Sequence, residues 1–147
     1  MEHASQRQIV TLIAKYSESH LNPINELIHV ICVPAIVFSI LGLLWSVHPA
    51  VALALVVLSL IYYVSLSVTM ALGMLLMSGL MLWALQLTPQ AYVLPGSIAI
   101  FVVAWIFQFI GHKIEGKKPS FFDDLRFLLI GPLFVLGVLY RRLNIHY

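Results

Sequence analysis

YSESHLNPINELIH, residues 16–29, is the stretch at which charge leaves the chain and a new helix has to begin. Asn22 is a good N-cap and Pro23 suits the first helical position, so a break falls here. His20 and His29 lie nine residues apart across that break. On one continuous helix nine residues turn through about 900°, and the two rings would face opposite ways. With the break, His20 sits in the turn and His29 about two turns into the next helix, so the rings can converge. Immediately beyond, from Leu27 to His112, 86 residues contain no Asp, Glu, Lys or Arg. At about 20 residues per crossing, that run holds four membrane spans joined by very short turns.

Composition agrees. The 147 residues are 61% apolar and only 10% charged, with a mean hydropathy of +0.99, whereas soluble domains carry about 25% charged residues. All the charge lies in residues 2–26 and 113–142. The predicted fold class is all-α: a polytopic membrane helical bundle forming a single integral-membrane domain over 1–147. The first 26 residues are too polar for a secretory signal peptide, so the first span is expected to target the chain. A net charge of +2, thinly spread, offers no nucleic-acid face. The single cysteine, Cys32, excludes an internal disulfide framework and reads as a small buried hydrophobe.

Residues 5–19 place Ile9, Leu12, Ile13 and Tyr16 on one helical face. This predicts an amphipathic helix in the membrane interface, with a cap packed on the protein as the alternative. Spans are expected at 25–45, with Pro34 as a kink, and at 50–66, 69–87 and 95–112, the last opened by Pro95-Gly96. The apolar piece 127–140 covers about 21 Å as a helix, short of the roughly 30 Å hydrocarbon layer. It contains Gly131-Pro132. A re-entrant or interfacial segment packed on the bundle is expected there, with a tilted fifth span as the alternative.

Four spans bring the start of the first and the end of the fourth to one side. Arg7, Lys15, Lys113, Lys117, Lys118 and Arg126 all fall on that side, and the opposite loops carry no Lys or Arg. The positive-inside rule makes it cytoplasmic. His20, His29 and His112 all lie at this boundary, and ionisable groups in spans are costly and tend to be functional. Asn25 lies one turn before His29 and Gln108 one turn before His112, each placed to fix a ring as metal-ligating histidines require; interhelical hydrogen bonding is the alternative. Two acids suit a site of two histidines and a carboxylate: Glu26, three before His29, and Glu115, three after His112, with Glu115 the better candidate. An exposed boundary charge is the plainer expectation for both. Lys113, Lys117 and Lys118 serve as positive-inside anchors, or attract the carboxylate or phosphate headgroup of an amphiphile.

Tyr16, His20, Asn22, Pro23, Asn25 and His29, followed by Val33-Pro34, trace the pattern YxxxHxNPxNxxxH. WIFQFIGHKIEGKKPSFFDDL, from Trp105 to Leu125, with Gly131-Pro132 after it, forms a second block. Together they resemble the two motifs of a small membrane family of Fe(II)-dependent 2-hydroxy fatty acid dioxygenases, which act in fungal phytosphingosine degradation. The resemblance implies α-oxidation, in which O₂ shortens a 2-hydroxy fatty acid by one carbon at its carboxyl end. It puts the catalytic, metal-binding histidines on His20, His29 and His112, with Tyr16 and Asn22 joining Asn25 and Gln108 in support. Fungal members space the following glutamate four residues from the second-motif histidine, where Glu115 is three away. They also carry a glutamate where this chain has Val138.

On this reading Fe(II) is the cofactor, and the 2-hydroxy acid chelates it through hydroxyl and carboxylate. The tail runs down between the first and fourth spans among membrane lipids. The membrane is a bacterial inner membrane, or the endoplasmic reticulum in a eukaryote. Rivals are a non-enzymatic carrier or assembly factor, and a different metal-dependent lipid enzyme such as a zinc hydrolase. A carrier calls for ionisable groups near mid-bilayer, and this charge-free run offers mainly Ser, Thr and Tyr near helix ends.

Overall fold

The computed structural model describes residues 2–147 and contains six α-helices, with no strand among those residues. They are α1 (Glu2–Ser17), α2 (Pro23–Val47), α3 (Pro49–Leu66), α4 (Val68–Leu87), α5 (Gln90–Glu115) and α6 (Phe127–Arg142), with a 3₁₀ turn at Ser120–Phe122. The chain is thus an all-α helical bundle, and α2 to α5 are long and apolar enough to cross a membrane. Their outer faces expose Leu53, Leu58, Ile61, Leu72, Leu76, Leu80, Val102 and Ile106. Soluble proteins rarely show apolar surface on that scale.

Side-chain caps open the first three spans, and at His48 and Ser67 one residue caps two helices at once, which keeps those connections short. Asn22 Oδ1 accepts the Ile24 N–H at 2.9 Å and Pro23 begins α2. His48 closes α2, and its Nδ1 accepts the Ala50 N–H at 3.0 Å to open α3. Ser67 repeats the device between α3 and α4, its Oγ accepting from the Met70 N–H at 3.2 Å. Such caps satisfy backbone groups that no water reaches in a membrane. At the far end of α5, Gly116 takes the left-handed conformation (φ 76°) that a side chain disfavours, and its N–H returns to the His112 carbonyl.

Two expectations need correction. The fourth span starts at Gln90, and Pro95 lies inside it. A proline removes one hydrogen bond near the helix start, whereas ending the helix there would leave several backbone groups unpaired in lipid. The apolar stripe of α1 takes the alternative, packed on the protein: Ile9, Leu12, Ile13 and Tyr16 are buried in the main core, against α3 and above all α6. The short apolar segment expected to pack on the bundle does so as one continuous helix, α6, unbroken by Gly131-Pro132 and set against α1, α2 and α4.

Helix α6 is apolar until Arg141-Arg142 and turns most of its surface to protein, leaving Leu128 and Leu139 exposed. Phe127, Ile130, Leu133, Phe134, Leu136 and Tyr140 are all buried, as a helix without a polar face must be. Two tyrosines lock it: Tyr63 Oη donates to the Leu129 carbonyl and Tyr140 Oη to the Thr69 carbonyl, each at 2.8 Å. A smaller core (Leu41, Ala52, Val56, Leu85, Val93) fills the other end of the bundle. Cys32, Ile36 and Ala104 join α2 to α5.

Helices α2 and α5 approach closely at Gly111. A Cβ there would strike Asn25 Oδ1. Asn25 is fully buried, its Nδ2 donating to the Ser19 carbonyl at 3.0 Å and to Glu115 at 3.3 Å, so it has nowhere to retreat. Gly111→Ala is therefore expected to destabilise the protein by about 1–3 kcal/mol. Gly79→Ala, with nothing within 4 Å of the new Cβ, should be neutral. Thermal unfolding of the two variants in the same detergent checks this.

Candidate metal centre

Three elements meet where α1 hands the chain to α2. His20 lies in the coil between them, His29 two turns into α2, and His112 in the last turn of α5. All three are buried. Ring centroids are 4.1 Å apart for His20 and His29, 4.7 Å for His29 and His112, and 5.1 Å for His20 and His112. One ring nitrogen of each falls within 4.8 Å of the others.

The local chain decides which nitrogen faces inward. His20 Nδ1 lies 2.6 Å from the Tyr16 carbonyl, and His29 Nδ1 lies 2.9 Å from the Asn25 carbonyl. A carbonyl only accepts, so both rings carry their proton on Nδ1 and turn a bare lone pair, Nε2, toward the cluster. The Tyr16 carbonyl belongs to the last turn of α1, whose carbonyls lack helical partners, so His20 closes that helix while being oriented by it. Tyr16 also stacks on His20, at 4.3 Å between centroids and 7° between planes. Burial pushes His20 down to about 4, with the Tyr16 carbonyl pulling the other way, so the ring is neutral at physiological pH.

The donor set fits a metal. His20 Nε2 is buried with no hydrogen-bond partner, a costly state for an acceptor. His29 Nε2 and His112 Nε2 stand 3.1 Å apart, a separation that one shared proton or one shared cation can bridge. Neutral imidazole suits zinc, copper, iron and nickel, and metal binding releases the last proton.

The supporting residues divide. Asn25 orients His29 through its backbone carbonyl, while its side chain ties α2 to Ser19 and Glu115. Asn22 acts as the N-cap of α2. Gln108 is buried beside the histidines, but its Oε1 has no partner and it does not hold His112. Glu115 is not in the cluster. Its carboxylate accepts from the Leu21 N–H at 3.0 Å, the Asn22 N–H at 2.8 Å and Asn25 Nδ2 at 3.3 Å. The i+3 spacing from His112 aims it at the start of α2, where backbone N–H groups and the helix dipole favour an anion. Glu26 is also outside the gathered group.

Of the lysines, Lys117 donates to the Glu18 carbonyl at 3.0 Å and Lys118 pairs with Asp123 at 2.8 Å. With Lys15 they rim a polar hollow of about 360 Å³, which Lys113 does not join. Ser120 and Phe127 separate this hollow from an apolar cavity of about 140 Å³ that begins at His29 and His112. Sequence reasoning missed Ser19 and Ser120, whose hydroxyls bond across this wall, Ser19 Oγ also lying 3.2 Å from His20 Nδ1. The signal that could have found them is the closeness of SFFDD to the second-motif histidine. It also missed the α6 wall, where Gly131 lets the backbone come so near Tyr16 Oη that a Cβ would lie 3.1 Å from it.

Fold and site together define a multi-pass helical membrane protein built around a buried three-histidine centre that can hold a metal ion. The chain belongs to the Mpo1-like family, described as 2-hydroxy-palmitic acid dioxygenase Mpo1-like, whose model matches residues 6–143. It is 33% identical over 131 residues to the 2-hydroxy-palmitic acid dioxygenase MPO1 of Saccharomyces cerevisiae, an alignment covering 82% of this chain and 73% of the yeast protein. No solved structure matches it.

Proposed function

We propose that this chain, as one integral-membrane unit, is a dioxygenase that holds Fe(II) on His20, His29 and His112 and shortens 2-hydroxy fatty acids by one carbon. Iron bound there supplies an oxygen-activating centre with coordination positions left open for substrate and O₂. The overall change, RCH(OH)COOH plus O₂ to RCOOH, CO₂ and water, balances with O₂ as its only oxidant.

The observation that carries this reading is the convergence of the histidines, two with Nε2 bare and turned inward, at the head of an apolar cavity. An amphiphile suits that arrangement, its reactive end at the imidazoles and its tail in hydrocarbon. Lys15, Lys117 and Lys118 attract its carboxylate from the water side. Tyr16 and Phe134 pack against His20, Phe127 packs against Tyr16, and together they keep bulk water from the rings. The family membership and the name of the yeast relative support the substrate class. The turns at His48 and Thr88-Pro89 carry no Lys or Arg, which supports a site on the cytoplasmic face.

Metal analysis of detergent-purified protein, with mass spectrometry of products from 2-hydroxyhexadecanoic acid under air and under argon, tests it. Expected is one iron per chain and a product one carbon shorter under air alone. Equal turnover under argon would point to a hydrolytic metal enzyme instead.

A further inference from the structure

We propose that the acyl tail lies in a bent, two-chamber tunnel, open along one side where Leu55 and Leu128 are exposed, whose floor at Met74 and Ser78 of α4 sets the longest chain accepted, a proposal that rests on the functional reading above. The first chamber is the 140 Å³ cavity below His29 and His112. It follows one face of α2, at Val33, Ile36, Val37 and Ile40. A second cavity of about 220 Å³ shares Val37, Ile40, Leu128 and Pro132 with it. These four residues are the neck. Beyond them the path leaves α5, passes under α6 and enters the space between α3 and α4, ending at Val56, Met74 and Ser78. From His29 to Leu41 the helix rises about 18 Å, so the route is long as well as narrow. The tail therefore does not stay between the first and fourth spans; it turns beneath α6.

The chemistry of the walls selects an alkyl chain. Two of the three side-chain hydroxyls in the second chamber, all but that of Ser59, are spent on the protein itself: Ser78 Oγ donates to the Met74 carbonyl at 2.6 Å and Tyr63 Oη to the Leu129 carbonyl at 2.8 Å. Pro132, at the neck, has no N–H to present. No charged or imidazole side chain lines this chamber to hold a carboxylate headgroup. The histidines stand at the opposite end of the path, so a ligand spanning both chambers has one polar end and one apolar end.

The probe is radiolabelled hexadecanoic acid bound to the purified protein and displaced by unlabelled straight-chain acids from octanoic to octadecanoic. Potency should rise with length until the floor is reached and then stop rising. Val37→Phe, in the neck, should move this limit to the shortest chains. Ser78→Phe, at the floor, should move it less, and octanoic acid should displace as it does from wild type. Each methylene denied burial costs about fourfold, so excluding two lowers the affinity of the longest acids more than tenfold. Ser59→Phe, on the half-exposed wall of the same chamber, repeats the floor test should Ser78→Phe fail to fold.

An unchanged length ranking in both neck and floor variants would overturn the tunnel. So would a phospholipid retained in both chambers that no fatty acid displaces. Hexadecanoic acid has no 2-hydroxyl group, so the displacement assay is independent of turnover. Shifted limits without O₂-dependent product would sink the dioxygenase reading alone, and O₂-dependent product with unshifted limits would sink the tunnel alone.

Discussion

His29→Ala is expected to leave a folded protein that binds no iron and turns over 2-hydroxy fatty acids at least about 100-fold more slowly. Loss of a residue that merely orients a metal ligand costs about 10–100-fold, and His29 is itself proposed as a ligand. Without it, His20 and His112 offer only two imidazoles. The fold should survive because the backbone of α2 is capped by Asn22 and packed on α5 independently of the ring. The cost is a cavity beside one already present, about 1–3 kcal/mol by analogy with other truncations of buried side chains. His48→Ala is the control. That histidine caps α3 from an exposed position at the other end of the bundle, so its loss should cost about 1 kcal/mol of stability and no iron. Iron retained at the wild-type level in His29→Ala, measured on the same detergent-purified preparations, would remove the imidazole cluster as the metal site.

Much of this centre is legible from charge and chain parity. The run free of Asp, Glu, Lys and Arg marks the spans, Asn22-Pro23 marks the break, and an even number of crossings carries His112 back to His29. These are local or counting arguments, and the geometry agrees with them: the three rings meet edge-on, their centroids within 5.1 Å of one another. What stayed hidden depends on partners that pattern does not name. Phe127–Arg142 has the same apolar composition whether lipid or protein covers it, so its place between α1, α2 and α4 is a tertiary fact. The α1 stripe is ambiguous for the same reason, since α6 and a membrane surface present the same apolar face to Ile9 and Leu12. Glu115 looked like a ligand because it shares a helix face with His112. Its real partners are the N–H groups of Leu21 and Asn22, in a coil whose path only the assembled bundle defines.

Glu115 supplies the second large effect. Its carboxylate clamps the end of α5 to the start of α2, and His112 and His29 ride on those two elements. Glu115→Ala removes acceptors from two backbone N–H groups and from Asn25 Nδ2. Hydrogen bonds to charged groups are each worth about 1.5–3 kcal/mol when buried. This carboxylate is partly exposed, so solvent screening brings the sum down to about 1–2 kcal/mol. The larger consequence is at the metal. Freed from the clamp, the rings lose their fixed separation, and iron affinity should fall about 10–100-fold, as for other groups that position ligands. Glu115→Gln keeps one oxygen acceptor but not the negative charge at the head of α2, and should fall between wild type and Glu115→Ala. A ligand would behave differently. Replacing a ligating carboxylate changes the donor set, so the electronic spectrum of the Co(II)-loaded protein would shift in both variants and excess metal would not restore it. A clamp leaves three imidazoles in place, so saturating metal restores both the wild-type spectrum and most of the activity. Titration of Co(II) into wild type, Glu115→Gln and Glu115→Ala separates the two roles: weaker binding with the same final spectrum marks the clamp, and a new spectrum at saturation would return Glu115 to the metal.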